Sequence, residues 1–188
     1  MPELTEFLRR ITALAATGDY AGLRLGASLP ELAARHGDPW DGGRLHKGER
    51  WPHAFGWGDA WTVFCACRRL RSFSLPAWHG ELELPRSASG LETLDTKVTE
   101  ADLTAALTAA GCHWRTITYP DIPGQRTLEL EPAPETRVGL VLVDRLDFDQ
   151  PAFDDWLLNK VGLWGYDHPD CPGPDRTLPE DGWGATGP

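Results

Sequence analysis

Hydrophobic positions near the start of the chain recur at helical spacing. Leu4, Phe7, Leu8, Ile11, Leu14 and Ala15 fall on one face and Glu3, Glu6, Arg9 and Arg10 on the other, which predicts an amphipathic helix closed by Gly18-Asp19. A short apolar stretch, Leu23-Arg24-Leu25, precedes a second helix. Ser28 has the character of an N-cap, Pro30 and Glu31 stand in the first turn, and Leu29, Leu32 and Ala33 face inward. His36-Gly37-Asp38-Pro39 stops it.

From Trp40 to Asp59 the chain is rich in Gly, Trp and basic residues, and only Arg50 to Trp57 has strand character. Trp61 to Cys67 and Leu70 to Leu75 read as strands joined by Arg68-Arg69. Residues 85 to 98, with Ser87, Ser89 and Gly90, read as a connector. A further helix starts at Thr99, with Leu103, Ala106, Leu107 and Ala110 as its buried stripe and Gly111 at its end. Three strands are predicted after it, at His113 to Tyr119, Thr127 to Glu131 and Val138 to Val143. Phe153, Trp156, Leu157, Val161 and Leu163 suggest a last helix after Pro151, and 166–188 read as an extended tail rich in Pro, Gly and Asp.

The expected class is α+β, with antiparallel sheet packed against short helices. Each half runs from a capped helix into about three strands. That order fits either one compact domain over 1–188 or two tandem α-βββ units, at 20–84 and 96–165.

Composition narrows the function. With 188 residues, 41% hydrophobic and 24% charged, the chain can bury a core without metal or disulfide staples. A net charge of −10 argues against nucleic acid or an anionic membrane as partner, because phosphate binding needs clustered Lys and Arg. It suits a basic protein partner. Charged residues interrupt the apolar positions of Met1 to Tyr20, and no window approaches a membrane span, so the expected location is cytoplasmic. Nine tryptophans are many for this length, and each serves as a core anchor or an interface anchor.

The four cysteines, at 65, 67, 112 and 171, are too irregular for a secreted disulfide framework and read as reduced thiols, with pairing among them left open. The strongest metal-like set is His168-Pro169-Asp170-Cys171 joined to Cys112-His113. Cys65-x-Cys67 on a strand would send its thiols to opposite faces. The expectation is therefore no metal, no cofactor and no catalytic residue, since no G-x-S-x-G element or calcium-loop spacing is present either.

The run from Leu25 to Leu32, closing with His36-Gly37-Asp38-Pro39, resembles the G-x-S-x-x-E-[VL] … L-G-x-P pattern of β-lactamase-inhibitor-protein-like and small-lipoprotein-like modules, and of actinobacterial immunity-like proteins. Phe55 to Phe64 is similar to their segment in which a Gly-Asp turn precedes a strand. The resemblance covers residues 23–78. His36 departs from it, standing where an aliphatic residue is usual. Without a lipoprotein signal, the resemblance implies a module that binds another protein through an aromatic-rich sheet face, with no catalysis.

The basic and aromatic segment from Arg44 to Trp57 reads either as a recognition surface or as a loop whose tryptophans fold back under the sheet. Arg50, Trp51, His53 and Trp57, together with Trp61 and the acids Asp144 and Asp147, are the binding candidates. Two functions follow. One is an immunity-type protein that neutralises a cognate toxin; the other is a small-molecule-binding protein or enzyme with a pocket lined by tryptophans and closed by His53, His79 or His113.

Overall fold

The computed structural model describes residues 5–47, 50–86, 90–145, 151–165 and Cys171. Helix α1 spans Glu6–Thr17, α2 Leu29–His36 and α3 Glu100–Ala109. Strands β1 (Asp19–Tyr20) and β2 (Leu23–Arg24) form a small ribbon. The strands β3 (Trp40–Arg44), β4 (His53–Trp57), β5 (Ala60–Phe64) and β6 (Leu70–Leu75) then form an antiparallel meander. A hairpin of β7 (Glu81–Pro85) and β8 (Leu91–Asp95) follows. After α3 come β9 (Arg115–Thr118), β10 (Gln125–Ala133), β11 (Thr136–Val143) and β12 (Leu157–Trp164).

The two meanders meet at β6 and β12, making one antiparallel sheet of eight strands in the order β3-β4-β5-β6-β12-β11-β10-β9. The protein is α+β, as its patterning predicts. Each half carries an equivalent pair of hydrogen bonds at its helix cap. Leu29 N–H donates to Arg68 O (2.9 Å) and Leu70 N–H to Ala27 O (2.9 Å); in the second half Glu100 N–H donates to Trp156 O (2.7 Å) and Leu158 N–H to Val98 O (2.9 Å). The helix N-caps Ser28 and Thr99 bridge to Arg69 and Leu157 at the heads of β6 and β12. Each half thus has four strands rather than three, and each ties its helix cap to its last strand.

Four expectations are corrected. The predicted helix over Phe153 to Leu163 is strand β12, because Lys160, Gly162 and Trp164 alternate with the buried Val161 and Leu163, and a glycine inside such an alternation suits a strand better than a helix. The connector at 85–98 contains β8. Trp40 to Arg44, not assigned to a strand from sequence, is edge strand β3. The strand expected to run to Cys67 ends at Phe64. Arg68, with φ of 55°, turns the chain back there, and Arg68 N–H closes the turn on Cys65 O (2.8 Å).

The helices cover one face of the sheet. Phe7, Ile11 and Leu14 of α1, Leu103 and Leu107 of α3, and Leu29 of α2 are fully buried with Phe64, Leu70, Leu75, Leu140 and Val161 from the strands. At the end of α2, His36 is buried against the edge of Trp57 (ring centroids 6.3 Å). Its Nε2 lies 2.9 Å from Ala21 O and donates to it, while Nδ1 is buried without a partner. Burial, reinforced by the charge of Arg35, holds the His36 pKa below its ordinary value. A histidine whose folded pKa is depressed binds protons first in the unfolded chain. Its contribution is complete above about pH 6.5 and is lost as pH falls through the folded value. Urea unfolding at a series of pH values is expected to show that loss, and His36→Gln to flatten it. An unchanged slope in the variant would show that His36 is not its source.

Candidate functional site

Among the described residues no helix lies on the other face of the sheet, and the composition of that face follows from the pairing register. Trp61 of β5 pairs with Ser74 of β6, Ser74 with Gly162 of β12, Gly162 with Gly139 of β11, Gly139 with Glu129 of β10, and Glu129 with Arg115 of β9. Directly paired residues share a face, so three small residues stand side by side between an indole and an ion pair. The result is a shallow trough of about 320 Å³, open along its top, with Ser72, Tyr119, Thr127 and Lys160 around it.

Glycine makes room for the aromatic rings. A Cβ on Gly139 would lie 2.5 Å from Cη2 of Trp164, and one on Gly56 would lie 2.1 Å from Cζ2 of Trp40. Each indole therefore lies flat on the sheet over a missing side chain. Trp40 and Trp61 pair with ring centroids 5.1 Å apart, and Trp40 Nε1 donates to Gly58 O (2.9 Å). Trp40, Trp61 and Trp164 are 40%, 38% and 38% exposed, large values for a residue that normally anchors a core. At the far end the rim is charged. Arg115 Nε donates to Glu129 (2.8 Å), and Arg137 lies 3.9 Å from Glu129 and 3.6 Å from Glu131.

Neither a protein-family model, nor a curated protein, nor a solved structure matches this chain.

Of the described residues expected to bind, only Trp61 lies on this face. Trp51 and Trp57 are 2% exposed and His53 3%. His53, Phe55 and Trp57 alternate onto the helix-covered side of β4, where Phe55 and Trp57 meet Phe64 edge-on. These side chains are core, which is the alternative in which the tryptophans of this segment fold back under the sheet. His53 Nε2 is 2.6 Å from Asp41 Oδ1, a contact that fixes the ring at the sheet edge. Arg50 is half-buried. Asp144 pairs with Arg145 at 2.9 Å, and that guanidinium holds its carboxyl below the usual range; it forms no part of the trough. Asp147 lies outside the described residues. Asp155 accepts from Ala101 N–H (3.2 Å) and so helps to cap α3. None of His53, His79 and His113 lines the trough.

The residues that sequence reasoning missed are Trp40, Trp164 and the Ser72, Ser74, Gly139 and Gly162 floor. The signal was the i, i+2 spacing of Lys160, Gly162 and Trp164, which becomes one face once the segment is a strand.

The expected separation of Cys65 and Cys67 is also overturned. Both sit in the turn after β5, and their sulfurs and that of Cys171 all lie within 4.8 Å of one another. Cys112 and His113 line a different hollow, with Ala15 and Pro132, so the Cys112-His113 pairing with Cys171 does not occur. His168, Pro169 and Asp170 lie outside the described residues.

Proposed function

We propose that this chain is a protein-binding module whose recognition surface is the open face of the eight-stranded sheet, and that it acts inside the cell as an immunity-type protein against a basic toxin domain. The observation that carries the binding function is the set of three exposed indoles, two of them seated on glycines, on a sheet face that no helix among the described residues covers. Tryptophan and arginine are the typical anchors of interface hot spots, and rigid aromatic rings lose little entropy on binding.

Size favours a protein over a small molecule. Eight strands about 4.8 Å apart, each about five residues of about 3.3 Å, make a face on the order of 600 Å². A standard protein interface covers about 800 Å² per partner. A trough of about 320 Å³ stands at the lower end of the range for small-molecule sites, about 300–1,000 Å³. The net charge of −10 suits a basic partner. An aromatic sheet face is also what the resemblance of residues 23–78 implies. No helix among the described residues is long and apolar enough to cross a membrane.

The test is parallel affinity capture with the wild-type chain and a Trp61→Ala/Trp164→Ala variant, followed by titration of the purified captured protein. Each single substitution is expected to weaken binding about tenfold or more. Because both side chains are more than a third exposed, folding stability should change by under about 1 kcal/mol. A partner held equally by wild type and double variant would overturn the assignment of the face. Inhibition of a toxic activity of the captured protein is the readout for the immunity role.

A further inference from the structure

Beside the head of β6, away from the aromatic trough, three cysteines from distant parts of the sequence come together. Cys65 and Cys67 flank Ala66 in the turn after β5, and Cys171 is brought beside them from beyond the end of β12. Cys65 is buried, Cys171 half-buried and Cys67 exposed, and none of the cysteines forms a disulfide. The turn is built by backbone hydrogen bonds. Cys65 N–H donates to Arg69 O (3.0 Å), Arg68 N–H to Cys65 O (2.8 Å), and the amides of Cys67 and Arg69 donate toward the Cys65 sulfur.

The geometry points to a thiolate site for a thiophilic metal ion of the zinc class, with Cys65, Cys67 and Cys171 as its protein ligands. Zinc bonds thiolate sulfur at about 2.3 Å, which puts the sulfurs of a tetrahedral set roughly 3.8 Å apart. A trio within 4.8 Å needs each sulfur to move by less than about 1 Å to reach that spacing. A disulfide would instead draw two sulfurs to about 2.05 Å and leave the third out. Soft sulfur donors select zinc or copper(I) over calcium or magnesium. Amide hydrogens aimed at a sulfur stabilise a metal-bound thiolate in the same way that they stabilise any anion. On binding, three S–H bonds break, three metal–sulfur bonds form, and the protons leave to solvent.

Among the described residues no fourth donor joins the trio, which leaves the fourth position of a tetrahedral set for a further ligand. Because Cys171 follows β12 and Cys65 follows β5, the ion would pin the chain beyond the second half onto the first half. Metal binding would therefore appear as stability.

The test uses the full-length chain, purified under reducing conditions and titrated with cobalt(II) as a spectroscopic stand-in, then with zinc. Expected are thiolate-to-cobalt charge-transfer bands, the visible bands of tetrahedral cobalt, about one equivalent of metal bound, and a rise in melting temperature with zinc. Cys67→Ser and Cys171→Ser, which alter exposed and half-buried positions, should each lose the charge-transfer bands and the zinc-dependent rise. Cys112→Ser should keep both. The proposal is overturned if the reduced wild type takes up no metal or if uptake survives in Cys171→Ser. A native mass spectrum showing a disulfide that persists under reductant would overturn it too.

Discussion

Replacing Trp57 by alanine is expected to lower the unfolding free energy by about 3–5 kcal/mol, the range for deleting a large buried aromatic. For a chain of this size that corresponds to a melting temperature lower by roughly 10 °C. Trp57 is 2% exposed and meets Phe64 edge-on and the ring of His36. Its Nε1 donates to Gly37 O at 2.7 Å, so the same side chain that fills the core also holds the carbonyl that ends α2. Deletion leaves both a cavity and a carbonyl without its donor. Trp57→Phe should recover part of the packing and none of the hydrogen bond, giving an intermediate loss in urea unfolding. If Trp57→Ala cost less than about 1 kcal/mol, as an exposed binding residue would, the inward placement of β4 would be wrong. Comparison with Trp61→Ala makes the contrast internal, because the two side chains lie four residues apart on opposite faces of one hairpin.

Arg10→Met is expected to destabilise the fold by about 2–3 kcal/mol. Helical spacing puts Arg10 on the polar side of α1, yet it is only 9% exposed. Its Nε donates to Glu6 (2.6 Å), one terminal nitrogen donates to Pro85 O (3.0 Å), and the other pairs with Glu92. It thereby fastens α1 to the β7–β8 hairpin. Methionine keeps the bulk of the side chain and removes every donor. Breaking a fully buried pair costs about 3–5 kcal/mol; the figure here is lower because Glu6 and Glu92 retain contact with water, with side chains 39% and 26% exposed.

The same substitution has a pH signature. Hydrogen bonds from Arg9 and then Arg10 lower the Glu6 pKa from 4.5 to about 2. A depressed carboxylate contributes stability that is present above its unfolded pKa and is lost as pH falls through the folded one. Wild type should therefore lose stability between about pH 4.5 and 2 more steeply than Arg10→Met does. Arg9 remains in the variant, so the slope should shrink rather than vanish. The loss set by His36 begins near pH 6.5, above the start of this one, and comparing His36→Gln with Arg10→Met separates the two in one pH series.

The helices were legible because their signals are local. Ser28 and Thr99 mark N-caps that the structure confirms, Ser28 as a capping box with Glu31, and the apolar spacing of Phe7, Leu8, Ile11 and Leu14 names the buried side of α1. Strands β5, β6, β10 and β11 were legible through their β-branched and apolar runs. The α+β class follows from those elements. Strand β12 was not legible, because Phe153, Trp156, Leu157 and Val161 also satisfy helical spacing, and a short apolar run does not choose between the two periods by itself.

What the sequence determined by itself, then, is the three helices, six of the eight strands of the large sheet, the turn glycines and the chemical stock of tryptophans, arginines and thiols. The tertiary structure decided which of them face outward and which meet. Trp51, Trp57 and Trp61 are chemically equal along the chain. They differ because a strand alternates its side chains and only one side of this sheet is covered by helices, a fact that requires the pairing of β6 with β12. The glycine recesses under Trp40 and Trp164 likewise exist only across strands, since Gly56 and Gly139 are remote in sequence from the rings that cover them. The three sulfurs meet for the same reason. Local patterns record what each residue does to its own turn of backbone, whereas contacts between Cys65, Cys67 and Cys171 depend on closing long loops, and no local pattern carries that information.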